Sequence, residues 1–400
     1  MNKLSYVLVL LSASTMNAVN GFIYPILSVH IINIGGTNTH VGLNFALPML
    51  VNVIMYFGWG LFSDYIGRRK PLIMMGSVIG AIVFFEFPYL DVNQLLGARA
   101  LQAVFFSTTV LVSAIMTEYF PNNKGLSMGY LNIGWGAGYA IGAFASGTIL
   151  RFGLEFSFGL CAIVSIISGL ILIPTIEPSK EREKVNISNI FVFGERKQIA
   201  VLSVSAFVLL TGNWIIFSVF PVYLYSIMEG AGYSDTMSIN ILGIAAGFSA
   251  LTGTVAAYYA GEICDTHGRK SMLLFASFAY LAVWSAFVLT DNILVIILLW
   301  TMPVWIYFNI SSTSMVSDLT KEYERGRGIG LLNTSVGLGN VVGAILGGLI
   351  ADAFSFKVVF LTTCVFTLCA IVLIGFTKET LPVRIEIKVD EKRNLKKSVP

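Results

Sequence analysis

Residues Gly60–Lys70 read GLFSDYIGRRK, and residues Gly261–Lys270 read GEICDTHGRK. Gly60 matches Gly261, Asp64 matches Asp265, Gly67 matches Gly268 and Arg68 matches Arg269, at an offset of 201 residues (261 minus 60). The same offset carries Gly125, Gly129, Leu131, Asn132, Gly136, Gly138, Gly142 and Gly147 onto Gly326, Gly330, Leu332, Asn333, Gly337, Gly339, Gly343 and Gly348. The chain is therefore two copies of one unit, the mark of a repeat architecture.

Charged residues make up 12% of the 400 and hydrophobic residues 56%, against about 25% charged in soluble domains. Such a chain belongs in a bilayer, and no nucleic-acid partner is expected of it. Crossing the hydrocarbon layer takes roughly 20 apolar residues. Runs of that kind occur at 5–28, 41–62, 71–89, 93–117, 126–149, 155–174, 198–226, 236–262, 271–289, 293–316, 328–351 and 356–377. The expected fold is an all-α membrane protein of twelve transmembrane helices. Residues 1–176 form one six-helix half, 177–197 a polar central loop, 198–377 the second half and 378–400 a mixed-charge tail. Six crossings per half bring the second copy into the membrane with the orientation of the first, so the repeat is parallel. Cys161, Cys264, Cys364 and Cys369 lack zinc-like spacing and read as packing residues, with no disulfide.

Alternate loops collect the basic residues: Lys3; Arg68, Arg69 and Lys70; Lys124; Lys180, Arg182, Lys184, Arg196 and Lys197; Arg269 and Lys270; Lys321, Arg325 and Arg327; then the tail. The loops between them hold Arg151 and Lys357. By the positive-inside rule both termini are cytoplasmic in a multi-pass protein of the cell membrane. Lys3 and the run Leu4–Leu11 imitate a secretory signal, but the apolar stretch continues to Leu27, which reads as an uncleaved first helix.

Helical spacing marks candidate cavity residues. Asn17, Asn20 and Tyr24 share a face of helix 1, Asn132, Trp135 and Tyr139 one of helix 5, and Trp305 and Asn309 one of helix 10. Amides and aromatic rings suit a partly polar organic solute; interhelical hydrogen bonds and lipid-interface placement are the competing readings. Glu86 falls inside the third span, roughly 22 Å from its inner edge and about 8 Å from the outer edge of a 30 Å core. Arg99 lies about 9 Å deep on the antiparallel fourth helix, so an Arg99–Glu86 ion pair is one reading. A snorkelling arginine and a wet or lipid-edge glutamate are the others.

The repeated string resembles the loop signature of the major facilitator superfamily, with Tyr65 and Thr266 where that signature has its first basic residue. The resemblance spans the chain. It implies a cytoplasmic gate of Gly60, Asp64, Gly67, Arg68, Arg69 and Glu118 in one half and Gly261, Asp265, Gly268 and Arg269 in the other, joined when that side closes. Arg99 and Gln102 resemble the family's second motif, with Ala103 in place of glycine. Gly134, Gly138 and Gly142 resemble its antiporter motif, but Tyr139 stands at the proline position and Ala143 at the last glycine, so the ridge, repeated by Gly339, Gly343 and Gly347, reads first as a packing surface. IPTIEPS and FTKETL echo the sugar-porter strings faintly.

No metal-ligand spacing, phosphate-cradling loop or nucleophile with a base is found in the sequence, so neither an enzyme nor a cofactor is expected. The expected function is alternating-access transport of a small organic solute by a monomer, as proton-coupled export. The alternatives are a facilitator or importer of a metabolite such as a sugar or organic acid, or a coupling ion other than the proton, or a membrane sensor or scaffold that does not transport. A cysteine placed within residues 177–197 is expected to react in intact cells with a membrane-permeant maleimide and to resist an impermeant one. Reaction with the impermeant reagent would reverse the orientation.

Overall fold

The computed structural model describes residues 3–120, 124–177, 196–321 and 324–380, which leaves most of the expected central loop and tail outside the described residues. Within the described residues twelve membrane helices follow in order. They are α1 Lys3–Asn33, α2 Asn38–Ile66, α3 Lys70–Tyr89, α4 Val92–Tyr119, α5 Lys124–Leu150 and α6 Leu154–Leu170. The second set is α7 Arg196–Gly230, α8 Asp235–His267, α9 Arg269–Leu289, α10 Ile293–Leu319, α11 Arg325–Ala353 and α12 Phe356–Gly375. Eleven are long and apolar enough to cross a membrane; α6 is shorter and continues as turns.

Three helices depart from regular α geometry, each for a local reason. The α-helical part of α3 stops at Ile82 and is followed by two 3₁₀ turns, Val83–Phe85 and Phe87–Tyr89. Pro88 cannot donate a helical hydrogen bond and disfavours helical backbone before it. In α4 a 3₁₀ turn spans Ser107–Thr109. There three successive hydroxyls donate to the carbonyls three residues back, at 2.6, 2.8 and 2.8 Å, and tighten the turn. Pro303 divides α10 into Ile293–Trp300 and Val304–Leu319.

The packing repeats. In the first half α1 packs on α5 and α6, α3 on α4 and α6, and α2 on α4; in the second, α7 packs on α11 and α12, α9 on α10 and α12, and α8 on α10. The halves meet along α2 with α11 and α5 with α8. Within each half one helix pair brings main chain closest to main chain. A Cβ at Gly138 or Gly142 would stand 2.0 Å from the Ser14 carbonyl oxygen or 1.7 Å from that of Ala18 on α1. On α11, Gly343 and Gly347 meet the carbonyls of Thr211 and Ile215 on α7 at 2.3 and 2.2 Å. Lipid tails are as apolar as leucine, so helices associate here by close contact rather than by expelling water.

Gly142→Leu is expected to lower the thermal unfolding midpoint in detergent, since overpacking costs about 1–3 kcal/mol and a backbone oxygen cannot step aside. Gly129→Ala, where nothing lies within 4 Å, is the control and should leave the midpoint nearly unchanged. Equal behaviour of the two would remove the close contact from the account.

Candidate functional site

A cavity of about 750 Å³ lies between the halves, lined from α1, α5, α7, α8 and α10. Asn17, Tyr24, Asn132, Trp135, Tyr139, Trp305 and Asn309 all face it. None of the lining residues is Asp, Glu, Lys, Arg or His. The Asn17 amide is engaged at both ends: it donates to the Trp135 carbonyl at 2.8 Å and accepts from Asn20 at 3.1 Å. Asn20 is exposed and outside the lining set.

Towards the face away from the basic loops the cavity ends in packed rings. The Tyr24 hydroxyl donates to the Phe217 carbonyl at 3.3 Å, tying α1 to α7. The Tyr24 ring lies 5.1 Å from Phe217, 5.7 Å from Phe45 and 6.5 Å from Tyr139. Trp300, at the Pro303 break, stacks on Phe220 at 3.6 Å and on Phe217 at 5.5 Å. Beyond this layer Gly21–Ile31 and Ser218–Tyr225 are buried without interruption. The seams between the halves are also tight on that face. A Cβ on Gly42 would stand 2.3 Å from the Ala344 carbonyl oxygen, and one on Gly243 2.2 Å from that of Ala143. At the end of α11, Asp352 accepts from the main-chain amides of Asn38 and Thr39, both at 2.8 Å, and so caps the start of α2 from the other half.

The basic face is different. No described residue lies within 4 Å of a Cβ built on Gly58, Gly60, Gly129, Gly261 or Gly330. The halves part there, and Gly60 and Gly261 form no close helix contact in this state. The charged strings hold each half together instead. Arg69 pairs with Asp64 at 3.4 Å and with Glu118, and Glu177 accepts from the amides of Arg69 and Lys70. Arg269 pairs with Asp265 at 2.5 Å and with Asp318 at 3.1 Å, while Glu379 accepts from the amides of Arg269, Lys270 and Ser271 at 2.8, 3.0 and 3.3 Å. Gly67 and Gly268, at φ 74° and 100°, make the bends between the paired helices.

Two sequence expectations are corrected. The 201-residue register pairs Arg68 with Arg269, but Arg68 is exposed and Arg69 takes the place of Arg269. The second loop is one residue shorter, so the register there is 200 and also relates Glu118 to Asp318. The Arg99–Glu86 pair does not form. Glu86 sits exposed at the junction of the 3₁₀ turns, whereas the Arg99 guanidinium donates to the amide oxygens of Asn44, at 3.1 Å, and Gln102. Arg99 and Gln102 lie outside the cavity lining. The sequence reading misses the α8 wall and the rings of Phe217 and Trp300; the wall has a signal in the small residues Ala246, Ala250, Gly253 and Ala257 at helical spacing.

Two similar six-helix halves around a central cavity, closed at one face and open at the other, define a membrane transporter fold. A Major Facilitator Superfamily profile matches residues 7–310 and 202–398, and the chain belongs to that family. A similar protein is an uncharacterized MFS-type transporter of Methanocaldococcus jannaschii, 23% identical over 387 residues, or 92% of this chain and 96% of that one. The multidrug resistance protein MdtG of Dickeya zeae is 23% identical over 368 residues, 85% of this chain and 86% of its own. The crystal structure of the nucleoside transporter NupG superposes with a TM-score of 0.80 at 15% identity, covering 94% of this chain and 98% of that one.

Asp352→Ala removes a cap supplied in trans, a loss of about 1 kcal/mol, or roughly fivefold in the ratio of closed to open seams. Spin labels on Ile34→Cys and Phe354→Cys, both exposed positions, are expected to show a larger population at long distance in that variant. An unchanged distance distribution would mean that the rings and glycines close this face unaided.

Proposed function

We propose that the protein exports a small organic solute from the cell by alternating access, coupled to protons, with its basic face in the cytoplasm. The observation that carries this reading is the cavity itself, built from both halves and shut off on one side only. The name of the relative MdtG, a multidrug resistance protein, supports the kind of cargo. A second reading, a facilitator without ion coupling, is favoured by one feature: no lining residue carries a formal charge, and Glu86 is exposed at the end of α3.

On this reading Asp64 and Asp265 are latches of the cytoplasmic gate. Each is now held by the arginine of its own half. The antiparallel run of α2 beside α11 supports a second position for Asp64, against the start of α11 once that side closes, as Asp352 stands against the start of α2. Binding energy from a solute held by both halves would then bias the exchange between the two states.

The test is efflux of a panel of fluorescent organic solutes from proteoliposomes, with and without an imposed pH gradient. Proton-coupled export is expected to give gradient-driven movement that a protonophore abolishes. Movement indifferent to both supports the facilitator, and no movement of any solute rejects transport of this class.

A further inference from the structure

We infer that Asn132 and Asn309 are the recognition pair of the cavity and that its solute is an uncharged planar molecule with both a hydrogen-bond donor and an acceptor on its ring edge. The inference rests on the reading of the cavity as the solute site.

Both asparagines line the cavity and are exposed, and neither side-chain amide has a hydrogen-bond partner among the described residues. In this they differ from Asn17, which is bonded at both ends. A carboxamide offers donors and an acceptor together. A carboxylate solute would satisfy only its NH₂ group and a cation only its oxygen, leaving the other group to whatever water stays in the cavity. A neutral amide, lactam or imide edge satisfies both.

The rest of the lining points the same way. With no Asp, Glu, Lys, Arg or His on the wall, a charged solute would give up hydration and meet no counter-charge. Aromatic rings can hold a cation by their faces; the roof faces here are taken by one another, while Trp305 and Tyr258 are exposed rings of the wall, so an aromatic cation is one arm of the test below. Trp300 has Phe220 on one face at 3.6 Å and Phe217 beside it at 5.5 Å, and Tyr24 is surrounded by Phe45, Tyr139 and Phe217. The Trp305 indole lies against α8, with a Cβ on Gly253 only 2.8 Å from it, and is 46% exposed. It therefore offers one flat surface for a ring to stack upon. Asn132 is on α5 and Asn309 on α10, so one solute that meets both amides touches both halves.

Three tricycles of nearly equal size separate the possibilities: acridone, neutral with a ring N–H and a carbonyl; N-methylacridinium, a cation; and acridine-9-carboxylate, an anion. Binding to the full chain in nanodiscs is read from probe fluorescence. Acridone is expected to bind about tenfold tighter than either ion, and Asn132→Ala and Asn309→Ala each to weaken it about tenfold. Asn132→Asp, which adds the missing charge, should turn the preference towards N-methylacridinium, and this gain does not depend on the alanine variants folding well. Tighter binding of either ion to the unaltered chain, or acridone affinity untouched in both alanine variants, overturns the inference. If an ion is then moved in proteoliposomes, the transport reading survives that failure. If none of the three binds or moves, the cavity is not the site of such a solute and both readings fall.

Discussion

Main chain pressed against main chain, α5 on α1 and α11 on α7, is the constraint from which the rest of the architecture follows. Apolar side chains gain little from facing one another rather than lipid, so the helices are held by contacts that only glycine allows. That contact also aims the site. On α5, Trp135 and Tyr139 each follow a ridge glycine by one residue, about 100° around the helix. Packing Gly134 and Gly138 against α1 therefore turns the two rings towards the cavity. The site inherits its geometry from residues that never touch it.

The two faces are governed by different chemistry. On the basic face, side-chain ion pairs lie inside each half: the Arg69 side chain is 11% exposed and that of Arg269 5%, while their carboxylate partners reach solvent. Glu177 and Glu379 add main-chain caps at the starts of α3 and α9. Exposed ion pairs contribute little to stability, but a nearly buried arginine shared between two carboxylates fixes the shape of its loop, so each half behaves as a body. On the opposite face the bonds run between the bodies, from Tyr24 to Phe217 and from Asn38 and Thr39 to Asp352. Bonds inside each half on one face and between the halves on the other suit the alternating access proposed above.

Much of this was legible in the sequence, because length, apolarity and a repeated string are properties of a line of residues. The helix spans, the glycine ridges and the cavity faces of α1, α5 and α10 follow from periodicity. Other features depend on local geometry that periodicity does not carry. One missing residue in the second loop moved the matching arginine from Arg68 to Arg69. Around Pro88 the α-helical part of α3 gives way to 3₁₀ turns, and Glu86 stands exposed between them rather than against Arg99. The α8 wall is made mostly of small residues that also fill ordinary helix contacts, with Tyr258 at its end, and Phe217 and Trp300 are two rings among many. Glu177 and Asp318 acquire a role only when helices distant in sequence are brought together.

The seam at Asp352 has a consequence for how this protein varies. Its donors are the amides of Asn38 and Thr39, which every residue but proline carries. Substitution at Asn38 leaves its bond in place, whereas the Thr39 hydroxyl also bonds the carboxylate, so a scan by alanine reads only part of the contact. Proline alone deletes a main-chain donor, and at the first turn it does so without breaking the helix. On the far side the closure rests on the Asp352 carboxylate and on Gly348, where a Cβ would stand 2.5 Å from the Asn38 carbonyl oxygen. The joint between the two halves is thus carried by one carboxylate, one glycine and main-chain amides that most substitutions leave in place.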